Sequence, residues 1–217
     1  MARALALVLA LSFSVALAHA DPAGDAVAAC ASLSLAQQLS LMAGVGPLAG
    51  YSRNCPCAGI CGRTTFRYDN GPQGFGDGSR PGSTTQFPAS LAVAASFDPD
   101  LAGRYGTAMG EEFWAKGTNI QEGPGVNVAR IQRCGRNFEY MSGEDPVLGS
   151  ALLPRVVDGI QTSVMAIVKH FIGNTIEQNR GTINDLVDET LLMELYGPPF
   201  AAAVAGVDGR QAAGVMW

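Results

Sequence analysis

The sequence is poor in histidine and in charge: it has two histidines in 217 residues, and charged side chains make up 15%. His19 falls within an N-terminal leader described below, which leaves His170 as the one histidine of the remaining chain. A histidine-rich metal site is thereby excluded, and a serine or cysteine triad would have only His170 to use. No G-x-S-x-G elbow accompanies it. Neither G-x-x-x-x-G-K followed by Ser or Thr nor G-x-G-x-x-G occurs, so both common phosphate-cradling loops are missing. Basic residues are outnumbered, 14 Lys and Arg against 19 Asp and Glu, and they are scattered rather than clustered. That balance offers no footprint for a polyanion, and nucleic acid is not an expected partner. No internal repeat is visible.

What the chain does have begins with MARALALVLALSFSVALAHA. Arg3 supplies a basic start, Leu5 to Leu17 an apolar core, and Ala18-His19-Ala20 an A-x-A-like cleavage site, the pattern of a secretory signal peptide over residues 1–20. The apolar stretch is shorter than the ~20 residues that span a bilayer, and no second long run follows. The expected product is exported, starts near Asp21, and has no membrane partner once the leader is removed. With 47% hydrophobic residues it can bury one sizeable core, so residues 21–217 are read as one domain or part of one. In an oxidising compartment, Cys30, Cys55, Cys57, Cys61 and Cys134 can form disulfides of undetermined connectivity. The Cys55, Cys57, Cys61 cluster lacks a fourth ligand for zinc, and no metal or other cofactor is expected.

Helical periodicity is clearest from Asp98. Its side chain can cap free amides, Pro99 fits a first turn, Leu101, Tyr105, Met109 and Phe113 form a stripe, and Gly117 closes it. Residues 35–39 suggest an earlier helix. Residues 44–86 are dense in Gly, Pro, Ser, Thr and Asn and read as long loops. Thr118-Asn119-Ile120 reads as a short strand, and Asp145-Pro146 opens a helix toward Gln161 that Pro154 is expected to kink or divide. Val164 to Val168 is a continuous apolar run of strand length, which suits a strand covered on both faces. A last helical region starts at Asp188-Glu189, is expected to break at Pro198-Pro199, and resumes through Ala201 to Val204. Such alternation points to an α/β barrel or a doubly wound sheet.

Two features carry chemistry. Lys169-His170 leaves the end of the apolar run, where a parallel barrel keeps its active site; the competing reading is a strand cap meeting solvent. Gly135 to Tyr140, followed by Ser142-Gly143-Glu144-Asp145-Pro146, sets Arg136 among carboxylates and rings. A guanidinium there can hydrogen-bond vicinal sugar hydroxyls, or can serve only an ion-paired loop.

Seven blocks, in order, resemble the signature segments of glycoside hydrolase family 3, of the β-glucosidase or β-xylosidase kind. They are Asp69-Asn70-Gly71-Pro72-Gln73-Gly74-Phe75; Gln86-Phe87-Pro88-Ala89; Gly110-Glu111-Glu112-Phe113 with Lys116-Gly117; Gly123-Pro124; Gly135-Arg136-Asn137 through Pro146; Lys169-His170-Phe171; and Asn174-x-x-Glu177-x-x-Arg180. The resemblance implies an incomplete (β/α)8, TIM-like barrel, the N-terminal domain of such an enzyme. It also implies a substrate partner, a β-linked oligosaccharide or glycoside. By position, Asn70, Arg136, Lys169, His170 and Arg180 correspond to the family's sugar-holding residues. Asn70 departs from the expected Asp, which stands one place upstream as Asp69. Either the loop presents Asp69, or Asn70 binds without charge and weakens a charge-assisted bond worth about 1.5–3 kcal/mol.

The implied reaction is retaining hydrolysis by two carboxyl groups about 5–5.5 Å apart. The family's nucleophile, an Asp in an S-D-W-like motif, and its acid/base do not occur before Trp217. A barrel needs about 250 residues, so the chain reads as a fragment that does not turn over substrate alone. Residues 205–211 also depart from the family, where a strand ending in a Ser-Tyr-Asn-like motif is expected. Ile172-Gly173-Asn174 after Phe171 disfavours the family's β-N-acetylglucosaminidase branch. A non-catalytic carbohydrate-binding remnant is the alternative.

Overall fold

A computed structural model describes residues 22–42, 44–45, 53–54, 66–76 and 83–216. The leader and Cys55, Cys57 and Cys61 lie outside the described residues. Two compact units result, Met1–Leu39 and Ser40–Trp217.

In the first unit, α1 (Pro22–Ala31) precedes a turn and the start of α2 (Leu35–Met42). Ser34 caps α2: its Oγ accepts from the Gln37 amide at 3.3 Å, and Gln37 Oε1 accepts from the Ser34 amide at 2.8 Å. This reciprocal box satisfies two amides that a helix start would otherwise leave without partners.

The second unit opens with a short antiparallel pair, β1 (Gly44–Val45) and β2 (Arg53–Asn54). Its centre is a parallel sheet of β3 (Tyr68–Asn70), β4 (Ile120–Glu122), β5 (Met165–Lys169) and β6 (Gly214–Met216), in that spatial order. Sequential order decides between the two architectures open from sequence. A doubly wound sheet reverses direction at a switch point, whereas a barrel adds each strand beside the last. The fold is therefore α/β of the barrel kind, with four consecutive parallel strands.

The helices follow their signals. After the short α3 (Ser90–Ala94), α4 runs Pro99–Ala115, with Asp98 accepting from the amides of Asp100 at 2.9 Å and Leu101 at 3.0 Å. Gly117 ends it at φ +86°. α5 runs Pro146–Ile160, capped by Asp145 through the Val147 amide at 2.8 Å. Contrary to the expected division, α5 passes through Pro154 without a break. A proline removes one intrahelical bond, but Leu152, Leu153, Val156 and Val157 are buried on both sides of it and hold the two halves on one axis. After α6 (Glu189–Leu191) and a π-helical turn (Leu192–Tyr196), α7 spans Gly197–Ala205. Pro198 and Pro199 start α7 rather than break it, because a helix's first turn needs no amide donors.

Two strand expectations also shift. The strand read at 118–120 lies at 120–122, with the Asn119 and Ile120 amides both bonded to Arg67 carbonyl oxygen, at 3.2 and 3.0 Å. β3 falls within the stretch read as loop.

α4 and α5 pack unusually closely. A Cβ at Gly106 would lie 2.3 Å from the Val156 carbonyl oxygen, and one at Gly110 would lie 2.6 Å from that of Ile160. Only glycine permits this approach. Tyr105, Met109, Phe113, Val156, Val157, Ala166 and Val168 form the core between these helices and one face of the sheet. Phe171 and Phe200 meet edge to face at 5.2 Å, beside an apolar cavity of about 460 Å³ lined by Ala201, Val204 and Val215.

Candidate functional site

Strands alternate their side chains, and this separates the core from the site. Ala166 and Val168 face the helices. Gln121 does too, its Nε2 donating to the Gly71 carbonyl at 2.8 Å. Their neighbours face the other way, and three strands end there on a polar residue: Asn70 closes β3, Glu122 closes β4, Lys169 closes β5. Asn70 and Glu122 are register partners. The β4–β5 ladder pairs Gln121 with Ala166 and resumes as a bridge from Gly125 to Lys169.

Lys169 is 3% exposed, so it does not meet solvent as a strand cap would. Its ammonium donates to Asn70 Oδ1. Burial pulls its pKa down to about 8, Glu122 and Glu139 push it back up, and Arg136 lowers it further. Asp69 is directed elsewhere. Pleating sends it to the face opposite Asn70, and its Oδ1 accepts the Asn70 amide at 2.8 Å. Of the two candidates, Asn70 shares a face with Lys169.

The loop around these residues is held from behind. Tyr105 hydroxyl shares its one proton between the carbonyls of Pro88 at 3.1 Å and Pro72 at 3.3 Å, and Ser90 donates to Pro72 carbonyl at 3.1 Å. These bonds explain why the Asp69 to Phe75 and Gln86 to Ala89 blocks go together.

His170 is held by Tyr140, whose hydroxyl lies 3.0 Å from Nδ1 and donates to the Asn174 carbonyl. A carbonyl can only accept, so the phenol's one proton goes there, and its oxygen is left to accept from His170. Nδ1 therefore carries the hydrogen and Nε2 presents a lone pair. Burial first, then the charges of Lys169, Arg136 and Arg180, push the imidazole pKa down to about 3. The ring is neutral at ordinary pH. Burial also raises the Tyr140 phenol to about 12, against the lowering effect of Arg136.

Arg136 makes an ion pair with Glu139 through Nε and reaches Glu177 Oε1 at 3.2 Å; the same Glu177 oxygen lies 3.4 Å from Arg180 Nη1. The Arg136 side chain is 14% exposed and that of Arg180 60% exposed. The Arg136 loop is thus ion-paired, and the pairing fixes it close to His170. His170 and Arg180 line a cavity of about 400 Å³ with Asn174 and Asp185. Arg136, Lys169 and Arg180 lie near enough to act on one imidazole, so four of the six expected residues converge. Asn70 joins them through Lys169, whereas Asp69 lies on the opposite face of its strand, near enough for its charge to act on Glu122.

The sequence reading missed Glu122, which is 3% exposed. Burial raises its pKa, Lys169 lowers it and Asp69 raises it. Nothing local distinguishes it; only the register with Asn70 brings it to the site.

A singly wound parallel α/β domain whose strands end in polar groups on one face is the barrel type of enzyme domain. The chain belongs to glycosyl hydrolase family 3: the pattern of that family's N terminal domain matches residues 72–216. It is 45% identical over 121 residues to thermostable beta-glucosidase B of Acetivibrio thermocellus, covering 55% of this chain and 16% of that protein. It is 35% identical over 191 residues to a probable beta-glucosidase F of Neosartorya fischeri, covering 81% of this chain and 21% of that one. Among solved structures, it resembles beta-D-glucoside glucohydrolase from Trichoderma reesei with TM-score 0.78 and 31% identity over 88% of this chain and 26% of that one. Beta-glucosidase 3B from Thermotoga neapolitana, solved with alpha-D-glucose, gives TM-score 0.74 and 32% identity over 83% and 27%. The chain therefore spans between about a sixth and a quarter of the length of these relatives.

Proposed function

We propose that this chain supplies the sugar-holding part of an exported β-glycosidase that removes terminal β-linked glucose or xylose by a retaining mechanism. The observation that carries the reading is the clustering of Asn70, Lys169, Arg136, Arg180 and a neutral His170, of which His170 and Arg180 line one cavity. A pyranose presents hydroxyls that both donate and accept. Lys169 and the arginines donate to them, and His170 Nε2 accepts. The β-glucosidase relatives and the neighbour solved with glucose support glucose as the first candidate sugar. The leader-like residues 1–20 support export.

The nucleophile and acid/base of retaining hydrolysis are not among the motifs of these 217 residues. The chain by itself therefore holds sugar without cleaving it. The test takes the purified 217-residue chain. Saturation-transfer NMR with D-glucose is expected to give ring-proton signals that Lys169→Ala abolishes, and p-nitrophenyl β-glucoside is expected to release no nitrophenol. Absence of any glucose signal from a folded chain overturns the sugar-holding reading, and nitrophenol release overturns the division of labour.

A further inference from the structure

We infer that Glu122 is a sugar-contacting carboxylate of this site, taking the acceptor role that Asn70 cannot fill with charge. The inference rests on the sugar-holding reading above and names a residue that the reading does not include. It starts from topology. In a barrel the last residue of each strand faces the ligand, and Glu122 ends β4 between the two strands that end in Asn70 and Lys169. Its side chain leaves the sheet opposite Gln121, which is committed to the Gly71 carbonyl on the helix side. Glu122 is the register partner of Asn70, so the two side chains stand next to each other on one face.

Chemistry points the same way. Asn70 Oδ1 is taken up by the Lys169 ammonium. An amide offers no negative charge, so position 70 gives a sugar hydroxyl no charge-assisted acceptor. Among the described residues, no cation is in ion-pair contact with the Glu122 carboxylate, although the residue is buried. A carboxylate without an ion-pair partner in so poorly solvated a setting favours donors, and a hydroxyl-rich ligand brings them. Burial raises the Glu122 pKa and the nearby Lys169 charge opposes that rise; in its ionised form the group can only accept. Glu122 and Lys169 thus form an acceptor–donor pair matched to two neighbouring hydroxyls of one ring.

The experiment measures D-glucose affinity by NMR titration of the 217-residue chain and three variants: Glu122→Gln, Glu122→Asp, and the double variant Asn70→Asp/Glu122→Gln. Circular dichroism verifies each fold. Glu122→Gln is expected to weaken glucose at least tenfold. The double variant, which returns a carboxylate to the adjacent strand end, is expected to recover to within about threefold of the parent. Glu122→Asp, which keeps the charge on a shorter arm, is expected to fall between them. Parent-like affinity in folded Glu122→Gln overturns the inference and leaves the sugar-holding reading intact. Loss in the single variant without recovery in a folded double variant also overturns it, since the effect is then steric. If Glu122→Gln does not fold, Glu122→Asp and the double variant decide: equal weakening in both overturns the inference, and near-parent affinity in the double variant supports it. No binding by the parent chain removes both readings at once.

Discussion

The two faces of the parallel sheet are made by alternate residues of the same short strands, yet they do opposite things. On the helix side, Ala166 and Val168 are fully buried against α4 and α5, and the polar Gln121 is bonded to backbone. On the other side the strand ends carry Asn70, Glu122 and Lys169, two of them charged groups buried at a cost in solvation. The first face minimises free energy. The second holds polar groups in a poorly solvated setting, where the proposed sugar would complete their hydrogen bonding. Stability and recognition are therefore separable here by residue parity.

Substitutions should split accordingly. The largest effect is expected from Gly106→Val in the helix crossing, where the first added carbon meets the Val156 carbonyl. Backbone cannot yield as a side-chain end does, so the loss should reach about 3 kcal/mol or more, read as a shift in urea midpoint. A midpoint near that of the parent would show that the two helices do not pack this closely.

Lys169→Met tests the other face. A buried ammonium is exchanged for an apolar side chain of similar length, so stability should change by less than about 1.5 kcal/mol in either direction. Glucose affinity should nevertheless fall about tenfold, equivalent to ~1.4 kcal/mol. Equal losses of stability and affinity would erase the distinction between the faces.

A third effect concerns pH. His170 is pushed down to about 3 from an ordinary 6.5, so the unfolded chain takes up a proton that the native ring refuses. Wherever the unfolded state binds more protons, stability rises with pH. The His170 contribution should therefore be complete above 6.5 and be lost progressively as pH falls toward 3. Thermal midpoints compared between parent and His170→Gln from pH 7 to 4 isolate it: the parent should show the steeper decline, and parallel curves would mean that His170 protonates freely in the native state.

The helix side of the sheet was also the legible side. α4 and α5 announced themselves by Asp98-Pro99 and Asp145-Pro146 caps and by apolar residues at helical spacing, and β5 by its unbroken apolar run. β3 was not legible, because Tyr68-Asp69-Asn70 has no apolar pattern and is defined by pairing with β4. Pro154 and the Pro198-Pro199 pair misled because a proline's effect depends on its place in the helix and on packing around it. In the site, Lys169, His170 and Arg136 were accessible from their position after a buried strand and from family resemblance. The orientation of Asn70 against Asp69 needed the pleat, and Glu122 needed a register between strands 50 residues apart, which local pattern does not encode.

One hydroxyl links two segments that sequence keeps apart. Tyr140 holds the His170 ring on one side and the Asn174 backbone on the other, so imidazole tilt and the path of the following turn form a single mechanical variable. A tilt of that ring is therefore felt, through the phenol, at the backbone of Asn174.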